Sequence, residues 1–199
     1  MDVTGIVNTV RTFRITQWIA TAVLLPLFGL AAYGYYADFV PNEAIDFSGK
    51  LLAWVVTLVT SVAVLAYRYI NSMPGVGSTG ANGLVHLLAV TALLALLWFL
   101  VYAGTAHGAA GLITRVNGTT TRMPTVAYVE KRFSRRSCKW QAVSPDFARA
   151  LPGYVCVAAT GAGRQTGNYA MILETRRSSL GFVVTDLVEY KRVGMPFGL

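Results

Sequence analysis

Charged side chains are scarce in this chain. They make up 13% of its 199 residues, whereas a soluble domain usually carries about 25%. The shortage is confined to residues 1–106, which hold four basic and four acidic side chains. Residues 107–199 hold thirteen basic and five acidic ones and so carry the whole net charge of +8. The composition therefore predicts a neutral, apolar N-terminal half joined to a basic, polar C-terminal half.

Common catalytic and metal-binding patterns are absent as well. The sequence has no G-x-S-x-G, H-E-x-x-H, C-x-x-C or paired-carboxylate pattern. Its two histidines, His86 and His107, are remote from each other, and neither cysteine has a partner at the spacing of metal ligands. Nothing nominates a nucleophile and a base. We therefore predict no catalytic residue, no cofactor and no metal site, and a protein that is not an enzyme.

Long uncharged runs are what the N-terminal half contains instead. Runs 16–36, 51–67 and 84–104 lack any charged residue. Each has roughly the 17–25 residues that a membrane-spanning helix needs. Three such runs in one short chain argue against buried helices of a soluble core. They predict an integral, multi-pass membrane protein with spans at about 16–36, 51–70 and 84–104.

Four regions follow from this pattern. Residues 1–15 carry an apolar stripe at helical spacing, which indicates an amphipathic helix in the membrane interface or the start of a long first helix. Residues 16–106 form the predicted three-helix transmembrane region. Residues 107–123, rich in Gly, Ala and Thr, are expected to be a linker. Residues 124–199 form the predicted soluble domain.

The charges between the spans indicate an orientation. Basic residues flank the cytoplasmic side of membrane helices, and the first helix usually dominates. An N-terminus in the cytoplasm places Arg11, Arg14 and Arg68 inside. The acidic loop around Glu43 and the whole C-terminal half then lie outside, in the periplasm, the extracellular space or a lumen.

The C-terminal half has the character of a β-rich domain. Short runs rich in β-branched and aromatic residues alternate with turn signals and predict about five strands. These runs are 125–130, 139–143, 153–160, 168–175 and 181–190. Ser144 followed by Pro145 and Asp146 predicts the start of a short helix. The expected fold class is therefore membrane α+β, with three transmembrane helices followed by a small β-rich extracytoplasmic domain.

Both cysteines, Cys138 and Cys156, lie in this half. Their strand-like settings and a spacing of 18 residues suit a disulfide between neighbouring elements. Such a bond requires an oxidising compartment, in agreement with the predicted orientation. The alternative is a pair of unrelated buried thiols.

The strongest polar feature is a basic segment interleaved with aromatic residues. An anionic partner is expected to contact it, either acidic lipid headgroups or an acidic protein surface. Nucleic acid is an unlikely partner because the segment is expected outside the cytoplasm. The alternative is an ordinary solvated strand face. The predicted contact residues are Lys131, Arg132, Arg135, Arg136, Lys139, Arg176 and Arg177.

These features together favour a non-enzymatic structural or accessory subunit of a multi-protein membrane complex. Its helices would pack on partner subunits through small residues, namely Gly29, Ala31, Ala32, Ala92 and Ala95. One alternative is a self-associating channel or transporter lined by Thr57, Thr60, Ser61 and Thr91. A second is an interfacial lipid-modifying enzyme that uses His107.

Overall fold

The computed structural model describes residues 3–71, 81–131, 138, 140–157 and 165–193. Its helices are α1 (Val3–Tyr36), α2 (Glu43–Asn71), α3 (Ala81–Tyr102) and α4 (Ala110–Asn117), and a π-helical segment, Ala103–Ala109, joins α3 to α4. The strands are β1 (Phe39–Pro41), β2 (Thr119–Lys131), β3 (Trp140–Val143), β4 (Val155–Cys156), β5 (Gly167–Ser178) and β6 (Gly181–Arg192).

Two helical stretches in the described part of the chain are long and apolar enough to cross a membrane. They are Glu43–Ala66 and Leu87–Asn117, and only 11% and 17% of their most apolar windows are buried inside the molecule. The structure therefore supports two of the three predicted membrane spans. The helix α1 has only a shorter apolar stretch, Thr21–Tyr36, although it runs unbroken through Pro26 from Val3.

The residues predicted as a linker, 107–123, are regular structure. Helical geometry continues from α3 to Asn117, and β2 begins at Thr119. The glycines here serve close packing rather than flexibility. A Cβ atom on Gly108 would lie 2.1 Å from the backbone oxygen of Leu30 in α1. Small residues allow helix backbones to approach in this way.

The six strands form one curled, half-open antiparallel sheet in the order β1-β6-β5-β2-β3-β4. The long strand β2 pairs with β5 from Thr119↔Arg177 to Val129↔Gly167. Five strands come from the predicted C-terminal domain, in which they are placed near the expected runs. The sixth, β1, comes from the connection between α1 and α2 and pairs with β6.

The concave side of the sheet holds the core. Alternate residues of β2 and β5 point inward, among them Val129, Met171 and Leu173, as expected for a strand with one buried face. Phe147 covers them from the segment between β3 and β4. The predicted short helix in this segment is a single 3-10 turn, Pro145–Phe147, capped by the Ser144 side chain.

The predicted disulfide is confirmed. Cys138 and Cys156 are bonded, with their Cα atoms 5.6 Å apart. The bond ties Cys138, two positions before β3, to the edge strand β4, which pairs with β3 at only two positions. A short edge strand has few backbone hydrogen bonds of its own, so the covalent link holds this edge of the sheet in place.

The connection between α1 and α2 locks the helices to the sheet. Val40 of β1 lies opposite Phe182 of β6. The backbone N–H of Asn42 donates to the carbonyl of Leu180 (2.9 Å), and its side chain accepts from the N–H of Ile45 (2.8 Å) and so caps α2. Because α4 also packs on β5 and β6, the helix bundle holds the sheet at two places.

We expect Gly108→Ala to destabilise the protein, and Gly29→Ala to be neutral or slightly stabilising. The new Cβ at position 108 would meet the Leu30 backbone, which no side-chain rotation relieves, whereas nothing lies within 4 Å of a Cβ at position 29. Overpacking of this kind typically costs about 1–3 kcal/mol. Loss of monodisperse protein on heating in detergent measures the difference. Equal behaviour of the two variants would contradict the close packing of α1 on the π-helical segment.

We expect Cys138→Ser/Cys156→Ser to lower the stability of the sheet by roughly 3 kcal/mol, because the disulfide closes a loop of 18 residues. Thermal unfolding followed by circular dichroism at β-sheet wavelengths measures this loss. Wild-type protein treated with a reductant is the control and should unfold at the same temperature as the variant. An unchanged midpoint would show that the bond does not stabilise the edge.

Candidate functional site

A buried histidine lies on the π-helical segment. His107 has 0% of its surface exposed. In a π-helix the backbone hydrogen bonds join residues five apart, so the side chains of such residues lie on the same side. Tyr102 precedes His107 by five residues, and their ring centroids are 5.2 Å apart at 86°. The π-helical segment therefore brings together two polar rings that a regular α-helix would separate.

A chain of polar contacts runs from this histidine to the surface of α2. Nε2 of His107 lies 3.2 Å from the hydroxyl oxygen of Tyr102. That hydroxyl donates to Oδ1 of Asp46 at 2.5 Å. Oδ2 of Asp46 accepts from the ammonium group of Lys50 at 2.7 Å. Asp46 and Lys50 lie one helical turn apart, so α2 presents both to the π-helical segment.

The number of available hydrogen atoms determines the direction of each hydrogen bond between His107, Tyr102 and Asp46. Tyr102 has one hydroxyl hydrogen, and Asp46 accepts it. Nε2 of His107 must then carry a hydrogen and donate it to the tyrosine oxygen, which assigns the tautomer from the network. Nδ1 is left as a buried acceptor without a hydrogen-bond partner among the described residues, although the backbone of Phe39 lies near the ring.

Two cavities flank the polar chain, and His107 lines neither. One, of about 620 Å³, is lined by Asp46, Lys50 and residues from the start of α2, together with Arg149. The other, of about 260 Å³, is an apolar groove between α2 and the π-helical segment. The imidazole itself is enclosed by the protein. The polar contacts from His107 to Lys50 hold α2 against the α3–α4 helix, close to the sheet.

The three predicted basic contact residues that the structure describes lie at opposite ends of the sheet. We call the end of the sheet that adjoins α4 its helix end. Arg176 and Arg177 lie at the helix end, opposite Thr120 and Thr119. Lys131 lies at the opposite end of β2, roughly 40 Å away for twelve strand residues. The other four, Arg132, Arg135, Arg136 and Lys139, lie outside the described residues.

The aromatic residue at the end of that basic segment, Trp140, is only partly accessible. Trp140 is half-buried and packs against the core of the sheet.

Among the small residues expected at the surface of the bundle, Ala31 is buried within the chain, whereas Gly29, Ala92 and Ala95 are exposed. Among the described residues, the predicted basic surface and the predicted small-residue surface are therefore each present only in part.

Comparison with known proteins assigns no family. A scan against protein-family models, a search of curated proteins and a search of solved structures each found no match to this chain. Among the residues that the structure describes, no three His, Cys, Asp or Glu side chains lie close enough together to hold a metal ion.

Sequence reasoning missed three members of the polar chain. The spacing of Asp46 and Lys50 is a recognisable signal for an ion pair along a helix. Nothing in the sequence marks a π-helical segment, so Tyr102 could not be connected with His107. On sequence grounds His107 is assigned only to the alternative of an interfacial enzyme, and the structure buries this residue completely.

We expect Tyr102→Phe to destabilise the helix bundle by about 1–3 kcal/mol, because the change leaves Nε2 of His107 and Oδ1 of Asp46 without their shared partner. The same change at Tyr128, which is exposed on β2, is the matched control and should have little effect. Thermal unfolding in detergent, followed by circular dichroism, compares the two variants. A neutral Tyr102→Phe would show that the polar chain does not hold α2 in place.

Proposed function

We propose that this chain is a non-enzymatic accessory subunit of a larger membrane complex. Its helices anchor it in the bilayer, and its disulfide-linked sheet stands outside the cytoplasm, where it docks on partner membrane proteins. The observation that carries the proposal is the absence of a flexible connection between the helix bundle and the sheet among the described residues. A rigid junction presents the sheet at one height and one orientation.

Two structural elements make the junction rigid. The α3–α4 helix leads into β2 with Gly118 as the only residue between them. The strand β1 inserts the α1–α2 connection into the sheet beside β6. An ion pair between Arg149 and Glu43 (3.2 Å) adds a contact between the segment that covers the core and the start of α2. This pair is exposed and contributes little stability.

Membrane anchoring is supported by the surface of α2 and α3. Large apolar side chains are exposed along both helices, for example Trp54 (64%), Leu58 (65%) and Leu93 (64%). An apolar surface of this extent is unfavourable in water and is expected to face lipid or other subunits. Helices in lipid associate through packing and hydrogen bonds rather than through the hydrophobic effect.

The placement of the sheet outside the cytoplasm is supported by the disulfide. A bond between Cys138 and Cys156 persists in an oxidising compartment and is rare in the cytosol. The end of α1, the start of α2 and the end of α4 all meet the sheet. The start of α1 then lies at the opposite end of the bundle, in agreement with a cytoplasmic N-terminus.

The two alternative functions have less support. A channel needs polar groups that face a pore. The hydroxyls of Thr60, Ser61 and Thr91 instead donate to carbonyls one turn back in their own helices. An interfacial enzyme that uses His107 needs access to this residue, and its ring is enclosed by Tyr102, Phe39 and the glycine-rich packing against α1.

The proposal predicts partners at a fixed ratio. After gentle extraction from the native membrane and affinity purification, mass spectrometry should identify defined membrane proteins together with the chain, and Cys138 should be bonded to Cys156. Purification of the chain alone, or only as a homo-oligomer, would contradict the proposal and favour the channel alternative.

A variant at the junction between the helix bundle and the sheet tests whether partner binding depends on that junction. Asn42→Ala removes the cap of α2 and the side-chain contact to the carbonyl of Ser179, so we expect less partner protein to be retained while membrane integration is unchanged. Thr120→Ala, at an exposed position of β2, is the control and should retain the partner fully.

A further inference from the structure

An exposed apolar patch lies on the convex face of the sheet. From Thr125 to Val129 every second residue of β2 is buried against the core, so the residues between them point to the convex face. Two of these, Val126 and Tyr128, are 48% and 45% exposed. The pairing of β2 with β3 and β5 places further apolar side chains beside them on this face. The apolar patch consists of Pro124, Val126, Tyr128, Val143, Ala170 and Ile172.

A cavity of about 500 Å³ adjoins the apolar patch. Four residues of the patch line it, together with Glu189 and Lys191 of β6. Ala170 lies between Val126 and Lys191 in the strand pairing, and its methyl side chain is shorter than either neighbour. The patch therefore has a recess among its longer side chains. A recess of this kind receives a large side chain of a partner, as at the anchor residues of protein interfaces.

The border of the apolar patch is acidic, although the chain as a whole has a net charge of +8. Glu174 and Asp186 lie directly opposite each other in the β5–β6 pairing, and like charges in this arrangement repel each other. Neither of them, nor Glu189, forms an ion pair with a described residue. The described charged residues of the border are four acids and two bases, namely Glu130, Glu174, Asp186, Glu189, Arg122 and Lys191. Basic side chains of a partner would relieve the repulsion.

The helix bundle packs on the same face, at the helix end of the sheet. Val183, which lies opposite Arg176 in the β5–β6 pairing, packs with Phe39 and with Ala110 of α4. Arg176 and Ile172 are four residues apart in β5 and therefore point to the same face, about 13 Å from each other. The apolar patch thus lies beside the bundle, on the side where a neighbouring membrane helix would leave the bilayer.

We propose that the apolar patch docks a juxtamembrane segment of a partner membrane protein, in which apolar side chains are combined with Lys or Arg. A large side chain of this segment fills the cavity beside Ala170, and its basic groups lie against Glu174, Asp186 and Glu189. The acidic border favours such a segment over lipid, because it repels the anionic headgroups that attract a basic surface. The inference rests on the proposed function and names the docking face and the chemistry of the partner.

Photo-crosslinking of the full chain in its native membrane tests the docking face. Benzoylphenylalanine replaces Tyr128 in the patch, and in the control it replaces Tyr190, which lies opposite Met171 on the concave face. The two tyrosines are 45% and 38% exposed, and each change exchanges one aromatic side chain for another. We expect position 128 to cross-link to one of the membrane proteins that co-purify at a fixed ratio, and position 190 to give no such product. The cross-linked peptide, identified by mass spectrometry, should lie next to a membrane span and hold more Lys and Arg than Asp and Glu.

A charge variant tests the acidic border. Glu189→Gln, added to the cross-linking variant at position 128, should lower the yield roughly threefold, as expected for the loss of one exposed ion pair, and high salt should lower it as well. Glu43→Gln, at an exposed position of α2 outside the patch, is the matched control and should leave the yield unchanged. An unchanged unfolding temperature verifies that Glu189→Gln is folded. Equal yields from the two charge variants would overturn the role of the acidic border.

The identity of the cross-linked product decides between the possible occupants of the apolar patch. Products with lipid, with a second copy of the chain or with the chain's own residues 132–137 would each overturn the inference, as would a captured segment rich in Asp and Glu. Equal products from positions 128 and 190 would overturn it too. If defined partners are retained and position 128 captures none of them, only the docking face is wrong. Purification without any partner would instead contradict the proposed function, and this inference with it.

Discussion

The pairing of β1 with β6 is the constraint on which the rest of the structure depends. Three residues between two helices, Phe39–Pro41, become an edge strand of a sheet whose other strands follow more than 75 positions later in the chain. Phe39 then packs against Val183 and Ala110, so that one side chain contacts both the sheet and the α3–α4 helix. Since the edge of a sheet presents unpaired N–H and C=O groups, β1 satisfies those of β6 only over Gly181–Val183, the part next to the helices.

The helix packing beneath this junction is equally close. Glycines at the end of the α3–α4 helix let α1 approach it until the Leu30 backbone and Gly108 are in contact. The π-helical segment at the same level turns His107 inward onto Tyr102, whose hydroxyl bonds to Asp46 on α2. All three helices are therefore joined within a few residues of the sheet. A π-helical segment is rare, and here it permits the polar contacts between His107, Tyr102 and Asp46.

The same junction determines where the positive charge lies. Strands β2 and β5 run antiparallel over eleven paired positions. Residues that are close in sequence to α4 or to the β5–β6 turn therefore lie at the helix end of the sheet. Lys131 lies far from them, at the opposite end of β2. The basic residues of these described strands accordingly form separate groups rather than one surface. The group at the helix end combines guanidinium groups with exposed apolar side chains of α4, a combination that suits the boundary between lipid and water.

The sequence by itself determined the division into an apolar helical half and a basic β-rich half, the approximate position of five strands, the Ser144 cap and the disulfide. These follow from local composition and periodicity, and in the case of the cysteines from there being only two. The tertiary structure alone decided the sixth strand, the helical course of residues 107–117, the enclosure of His107 and the separation of the basic residues. Each of these depends on contacts between segments far apart in the chain. A Gly/Ala-rich run has little preference for a helix by itself, and here it is helical because its small side chains pack closely against a neighbouring helix. Phe39–Pro41 forms a strand only because its backbone pairs with the edge of β6.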